Sequence, residues 1–245
     1  MRCHIVLVLL LAPLTLAAAD PLELAFTDSL SLGEQRVTGF TWAGADTLAM
    51  LVTQVDSLAF GDSLQVFLVV GDTTGTVYWQ EDFTGVLGRG LAWDGEFFWS
   101  TGEDTEGGAL LYKIAADTVA VEEVYTAPGH RPHDLAWDGQ WLWLTDRDSG
   151  RIERIDPETG ELTRSVGAPG FSPGGLAWDG GAMWVADAGT GRLTRMRGGR
   201  LDRRREVAPT SWFLRGGHVW LAHDGRALWV LVEDERCLRR LEVVR

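Results

Sequence analysis

Pairs of apolar segments separated by a short Asp-Gly turn recur along the chain. The five-residue segment LAWDG occurs at 91–95, 135–139 and 176–180, LAHDG occurs at 221–225, and a more divergent copy, FTWAG, occurs at 40–44. The third residues of the copies are Trp42, Trp93, Trp137, Trp178 and His223. Because every copy lacks the three- and four-residue apolar spacing of a helix, the repeat predicts strands.

Each Asp-Gly pair lies between two strand-like runs. The runs that follow the turns are FFWST, WLWLT, AMWVA and ALWVL, which begin at 97, 141, 182 and 227. They are apolar at consecutive positions, so both faces of the strand must be covered. Asp-Gly between apolar runs favours a two-residue hairpin turn of type I′.

The two segments that complete each repeat are more polar. RIERID at 151–156 and ELTRSV at 161–166 show this in the third copy. Four strands that become more polar outwards, in repeats of about 40–45 residues, are typical of propeller blades. We therefore predict an all-β fold, a β-propeller of about five four-stranded blades.

The last repeat is one strand short. Its third segment, RCLRRLEVV at 236–244, reaches the C-terminus, while LELAFTDSL at 22–30 belongs to no repeat. We predict that this N-terminal strand closes the ring and removes a free edge. Deletion of residues 20–33 should then destabilise the whole domain.

The first residues have the pattern of an export signal. Arg2 precedes an apolar run from Ile5 to Leu16, which ends in three alanines before Asp20. The run is too short to span a membrane, so we predict a signal peptide at 1–19 and a single propeller domain at 20–245. The mature protein would be secreted or periplasmic, without a membrane span.

Charge and cysteine content restrict the partners. The chain has 22 basic and 35 acidic residues, a net charge of −13, which disfavours nucleic acid. Cys3 would leave with the signal and Cys237 remains alone, so no internal disulfide is expected. An arginine-rich stretch at 192–205 is interpreted as charged outer strands. We expect a monomer.

Two short motifs suggest chemistry that their residues do not support. GFSPG at 170–174 has the spacing of a serine-hydrolase motif, but Pro173 has no N–H for an oxyanion hole. DRDSG at 146–150 begins like a calcium loop, but Gly150 stands where a ligand belongs. Asp146 and Asp187 are expected to cap their own turns.

Candidate binding residues cluster where first strands begin. Alignment of the repeats places Thr38, Arg89, His133, Gly174 and Val219 at one position, and His218 precedes the last of them. This position should ring the mouth of the central channel, where several blades converge. The candidate ligand-binding residues are Arg89, His130, His133, His218 and Trp220. They could bind an anion or supply imidazoles to a metal, or the loop histidines could simply be solvated. We predict no metal site and leave the cofactor unknown.

The blades at 130–156 and 171–196 resemble NHL-type, SMP-30-like and virginiamycin-lyase-like propeller repeats. The resemblance rests on RPHDLAWDGQWLWLTDRDSGRIERID and SPGGLAWDGGAMWVADAGTGRL. It implies the fold more than an activity. SMP-30-like hydrolases bind a divalent metal partly through asparagine, and this chain has no asparagine.

A second resemblance is to five-bladed glutaminyl-peptide cyclotransferases. RGLAWDGEFFWSTGED at 89–104 is similar to their strand that leads into a Glu-Ser-Thr-Gly stretch. Ser100, Thr101 and Gly102 match, but Trp99 stands where that family has its important glutamate. The proton transfer that the resemblance implies then has no obvious agent.

Two functions remain open from the sequence. The first is an exported scaffold that binds a small molecule or a protein on its inter-blade loops. The alternative is an enzyme, either cyclotransferase-like or a metal-dependent lyase or hydrolase. A catalytic propeller should have a deep acidic site on its axis, whereas a binding propeller should have a broad aromatic rim.

Overall fold

Five four-stranded antiparallel sheets form a ring in the computed structural model, a five-bladed β-propeller. The structure describes residues 23–32, 36–44, 46–58, 61–74, 76–83, 88–104, 106–197, 200–206, 217–232 and 236–244. Helices are absent from this part of the chain, so it contains no helical segment that could cross a membrane. The predicted signal peptide lies outside the described residues.

In blades 1 to 4 the strands follow the chain from the axis outwards. Blade 1 consists of β2 (Arg36–Trp42), β3 (Leu48–Leu58), β4 (Gly61–Gly71) and β5 (Val77–Asp82). Blade 2 consists of β6 (Arg89–Trp93), β7 (Phe97–Glu103), β8 (Ala109–Ala115) and β9 (Val121–Thr126). Blade 3 consists of β10 (Pro132–Trp137), β11 (Leu142–Asp146), β12 (Arg151–Ile155) and β13 (Leu162–Gly167). Blade 4 consists of β14 (Pro173–Trp178), β15 (Met183–Asp187), β16 (Arg192–Arg197) and β17 (Arg200–Glu206).

Blade 5 joins the two ends of the chain. It consists of β18 (Val219–His223), β19 (Leu228–Val232), β20 (Cys237–Val244) and the N-terminal strand β1 (Glu23–Ser31). β1 pairs antiparallel with β20 from Glu23 opposite Val244 to Ser31 opposite Cys237. The predicted closure of the ring is therefore confirmed.

Buried apolar side chains form a cluster at each interface between neighbouring blades. The interface between blades 5 and 1, for example, contains Phe40, Trp42, Trp220 and Trp229. Each inner strand is covered on both sides in this way, which explains why its sequence is apolar at consecutive positions.

The Asp-Gly turns repeat the same hydrogen bonds in blades 2 to 5. Asp138 Oδ1 accepts the backbone N–H groups of Gln140 and Trp141 at 2.9 and 2.7 Å, and Asp138 Oδ2 accepts the Trp143 indole N–H at 2.7 Å. The turn aspartate and tryptophan pairs are Asp94–Trp99, Asp138–Trp143, Asp179–Trp184 and Asp224–Trp229. Each pair joins the two inner strands of its own blade.

The predicted type I′ geometry of these turns is wrong. That turn needs positive φ at both central residues, but in each turn only the glycine has it, for example Gly139 at 96°. The aspartate precedes the central pair instead, because its carboxylate captures the two N–H groups that follow.

Candidate functional site

The inner strands of blades 1 to 4 are irregular near the end where the inter-blade loops enter, here called the loop end. The pairing register shifts within β2, β6, β10 and β14, for example between Pro132 and Leu135. Such bulges change the direction in which side chains point. They allow the adjacent residues His133 and Asp134 both to contact blade 5 across the axis.

Three glycines bring the inner strands into backbone contact just below this end. A Cβ on Gly39 would lie 2.7 Å from the backbone of Gly90, and one on Gly90 would lie 2.6 Å from the carbonyl oxygen of His133. A Cβ on Gly175 would lie 2.5 Å from the Leu221 side chain. Only glycine permits such an approach, so the axis is narrow here.

Asp134 bridges three blades on the axis. Its carboxylate accepts the backbone N–H of Leu135 at 3.0 Å, of Leu176 in blade 4 at 2.8 Å and of Leu221 in blade 5 at 2.9 Å. The side chain is fully buried. Burial raises the pKa of Asp134 well above its ordinary value, and the three N–H donors partly oppose this. The axis is therefore closed at Asp134 and is not an open channel. The group of side chains at the loop end, Arg89, Arg131, His133, Arg147 and His218, is here called the cup.

Three aromatic rings stack at the loop end of the axis. His133 of blade 3 and His218 of blade 5 are nearly parallel, with centroids 4.9 Å apart, and the Trp220 ring lies 5.0 Å from His133. Trp220 is 2% exposed, so its indole supports the imidazoles and presents no open face to a ligand.

Arg147, which follows β11, defines the proton positions of the two histidines. Arg147 Nη1 lies 2.9 Å from His218 Nδ1, and His133 Nε2 lies 2.7 Å from the same nitrogen. A guanidinium can only donate, so His218 Nδ1 accepts and His133 Nε2 carries a hydrogen. His133 Nδ1 is then a buried acceptor, and neither it nor the buried Trp220 indole N–H has a hydrogen-bond partner among the described residues.

The cup is positively charged. Burial, and then His218, Arg147, Arg89 and Arg131, hold the pKa of His133 well below its ordinary value of 6.5. Burial also lowers the pKa of Arg147, Arg131 and Arg89 lower it further, and Asp148 and Asp187 partly oppose the shift. His133 is therefore neutral at physiological pH, and the positive charge of the cup comes from the arginines.

The arginines differ in their partners. Arg89 Nη1 lies 3.4 Å from Glu103 Oε1, and Arg131 Nη1 lies 3.9 Å from Asp148 Oδ1, both in largely exposed pairs. The Arg147 guanidinium hydrogen-bonds to His218 and to the Ser172 hydroxyl, 3.2 Å from its Nε. Within the described part of the chain it forms no ion pair with a carboxylate.

The other predicted candidates lie outside the cup or in structural roles. His130 is exposed, and the hydrogen bond that it makes is from its backbone N–H to Asp146 at 2.9 Å. Asp146 also accepts the N–H of Asp148 at 3.0 Å, and Asp187 accepts that of Thr190 at 2.7 Å, as expected for turn caps. The described residues contain no group of three or more metal-ligating side chains.

Sequence reasoning missed Arg147 and Asp134. Asp134 had a signal, since it is a charged residue in an apolar first strand, at the position where other copies have Gly39, Gly90 and Gly175. Arg147 had none, because it occurs once and its importance depends on a histidine 71 residues away.

The fold and this basic cup define a five-bladed propeller with one unrepeated site at its loop end. Among solved structures the chain is similar to a glutaminyl cyclase from Myxococcus xanthus, with 14% identity and a TM-score of 0.65 over 92% of this chain and 100% of that one. It is also similar to a chain in the crystal structure of a mitotic checkpoint complex, with 12% identity and a TM-score of 0.54 over 100% of both chains.

Identities this low show the fold alone. No protein-family model and no curated protein matches the chain. The resemblance to NHL-type, SMP-30-like and virginiamycin-lyase-like repeats therefore stays a prediction. The five-bladed architecture of the second resemblance agrees with the glutaminyl cyclase structure.

Proposed function

We propose that the protein is an exported propeller that binds a small anionic ligand in the cup at its loop end. The observation that supports this most strongly is Arg147, a half-buried guanidinium whose contacts are a neutral imidazole and a hydroxyl. Asp148 and Asp187 offset the repulsion from Arg131 and Arg89 only in part, so a partly buried cation without an ion-pair partner remains costly, and an anion would relieve that cost.

The neighbouring arginines support the same ligand. Arg89 and Arg131 are close enough to lower the pKa of Arg147, so three cations repel one another at the cup. Their ion pairs with Glu103 and Asp148 are exposed and weak. Either side chain can exchange its carboxylate for a ligand at little cost.

The donor set favours a carboxylate or a phosphate. A guanidinium offers paired N–H groups that match two oxygens of such an anion. The Ser172 hydroxyl, beside Arg147 Nε, could donate to a third oxygen. Trp220 and His133 would lie beneath the ligand and exclude water from one side.

Calorimetric titration with acetate, succinate and inorganic phosphate tests this proposal. The wild-type protein should bind at least one of them, and Arg147→Gln should weaken binding by about 10- to 100-fold. Arg154→Gln is the matched control, because Arg154 lies on the same blade but over the Trp141 ring. Equal loss in both variants, or no binding to the wild type, would contradict the proposal.

The alternative function is an enzyme of the cyclotransferase type, suggested by the similarity in fold. Two observations count against it. Trp99, at the position of that family's glutamate, is fully buried and donates to Asp94. The axial acid, Asp134, has no exposed surface. Conversion of an N-terminal glutaminyl peptide by the wild type, abolished in Glu103→Gln, would favour the enzyme instead.

Export and a monomeric state belong to the same proposal. Removal of residues 1–19 can be read by N-terminal sequencing of protein from the culture medium or periplasm. Sedimentation of the mature chain should give the mass of a single copy. A full-length chain retained with the cells would contradict export.

A further inference from the structure

A cleft between blades 3 and 4 forms a second candidate site, at the end opposite the cup. Its volume is about 110 Å³, and its walls include Trp143, Val166, Trp178, Met183 and Met196. Trp143, Val166 and Trp178 are only half-buried. The cleft is thus a mostly apolar space that opens to the surface of the propeller.

The equivalent space between blades 2 and 3 is filled by a tyrosine. Tyr125 on β9 stacks on Trp99, with centroids 6.2 Å apart and planes 18° from parallel. Trp99 is therefore fully buried. The repeat thus shows which chemical group completes this kind of interface.

Strand pairing identifies the residue of blade 3 that replaces Tyr125. In blade 2, Trp99 pairs with Lys113, and Tyr125 pairs with Leu111. In blade 3, Trp143 pairs with Arg154, and Val166 pairs with Ile152, which holds the position of Leu111. Valine thus stands where blade 2 has an aromatic ring, and the cleft is the space that the ring would fill.

The opposite wall has changed as well. Blade 3 presents Leu142 and Ile155 to Tyr125, whereas blade 4 presents Met183 and Met196 at the same paired positions. Thioethers are flexible and make favourable contacts with aromatic rings. The cleft, at about 110 Å³, is smaller than the enclosed apolar cavity of roughly 150 Å³ that holds benzene. Because the cleft opens to the surface, one ring can enter it with an edge left exposed.

The charged residues at the mouth of the cleft indicate which polar group a bound aromatic ring would carry. In blade 2, Glu123 accepts a hydrogen bond from the Tyr125 hydroxyl. Arg164 holds the position of Glu123 in blade 3, opposite Arg154, and lines the cleft. The cleft is also lined by Asp138, whose carboxylate already accepts the Trp143 indole N–H and two backbone N–H groups. An arginine has five N–H donors and no acceptor, so Arg164 can donate to an acceptor or an anionic group on the ring in addition to its contacts within the protein.

We propose that this cleft binds a single-ring aromatic acid, with the ring against Trp143 and the two methionines and the carboxylate towards Arg164. The site is independent of the basic cup, which lies at the other end of the blades. Benzoate is the simplest probe of this chemistry.

Methyl NMR of protein labelled at methionine measures occupancy directly. Benzoate should shift the methyl signals of Met183 and Met196 with a dissociation constant of about 1 mM, and the signal of Met50 should not move. Acetate should not displace benzoate from the cleft, and Arg147→Gln should not weaken benzoate binding there, because both affect the cup. Benzoate that leaves both cleft methyls unmoved would overturn the proposal.

Substitutions in equivalent positions test the assignment. Val166→Tyr should fill the cleft and abolish the shifts, whereas Val124→Tyr, the same change at an exposed position on β9, should retain them. Arg164→Gln should weaken the binding of benzoate by about fivefold at most and leave the binding of benzyl alcohol unchanged. Retained shifts in Val166→Tyr would contradict the proposal, and the wild-type titration decides the matter alone if that variant does not fold.

The reciprocal change in blade 2 gives the last test. Tyr125→Val should open a matching cleft beside Trp99 that retains Glu123, an acceptor. Saturation-transfer NMR should then detect phenol, which donates, bound to this variant and not to the wild type. No gain of phenol binding by the folded variant would show that the repeat comparison misidentifies the occupant.

Discussion

The two ends of the inner strands differ in whether the blades repeat the same residues. The end that carries the Asp-Gly turns is called the turn end. There, four blades repeat one arrangement, in which an aspartate accepts two backbone N–H groups and the indole N–H of a tryptophan in its own blade. At the loop end, no two blades supply the same group: Arg89, His133 and Val219 occupy equivalent strand positions. The repeated end holds each hairpin together, and the unrepeated end is where blades interact across the axis.

The difference shows which residues a repeat can explain. A residue that occurs in every copy is accounted for by the blade itself, as Trp143 is by Asp138. A residue that occurs once, such as Arg147 or Asp134, needs a reason from outside its blade. That reason is a contact with blade 5 in both cases.

The largest effect is expected from Asp134→Ala, which leaves three backbone N–H donors of three blades without an acceptor. Each buried unsatisfied donor costs about 1–3 kcal/mol, so the free energy of unfolding should fall by at least about 3 kcal/mol. Urea denaturation measures the change. Asp72→Ala is the control, because Asp72 also accepts two backbone N–H groups but is exposed.

Asp134→Asn retains an acceptor oxygen and should lose less stability than Asp134→Ala. An Asp134→Ala protein that unfolds at the same urea concentration as Asp72→Ala would show that the axial bridge contributes nothing.

Substitution of the turn aspartates should lower the free energy of unfolding by similar amounts in different blades. Asp94→Ala, Asp138→Ala and Asp224→Ala each remove the same set of hydrogen bonds, so each should lower the free energy of unfolding by about 1–2 kcal/mol. Asp179→Ala should cost somewhat more, since Asp179 also pairs with Arg195 at 2.6 Å, whereas the charged partner of Asp224, Arg240, lies at 3.9 Å. Widely different losses among the first three would contradict the equivalence of the blades.

The two ends should also differ in their dependence on pH. Burial lowers the pKa of His133 in the folded protein, so below about pH 6.5 the unfolded chain binds a proton that the folded one does not. Stability should therefore fall as the pH decreases from 7.5 to 5.5, by about 1 kcal/mol from this group. Thermal melting across this range measures the slope.

His133→Gln should reduce that slope more than His223→Gln does. His223 lies at the turn end, where burial lowers its pKa but Asp179 and Asp224 oppose the shift. A larger loss of slope in His223→Gln would reverse the assignment of the two ends.

The repeat predicted the fold because its signal is local. LAWDG and the paired apolar runs specify the first two strands of a blade, and the unpaired segments at 22–30 and 236–244 specify the closure. The turn type was wrong because the pattern does not show that the carboxylate, as in Asp138, would bind the next two N–H groups.

The candidate site was predicted only in part, because it depends on distances across the ring. Alignment placed His133 and His218 near one mouth, and the structure brings their ring nitrogens to 2.7 Å. His130 is only three residues from His133, yet it is exposed, and its backbone N–H donates to Asp146. The partners of Arg147 could not be read from one blade.

Crystals soaked in sodium iodide would test most directly whether the unrepeated end is an anion site. The strongest anomalous peak on the protein should contact the Arg147 guanidinium beside His218. Iodide peaks at other arginines, with none at Arg147, would contradict the account.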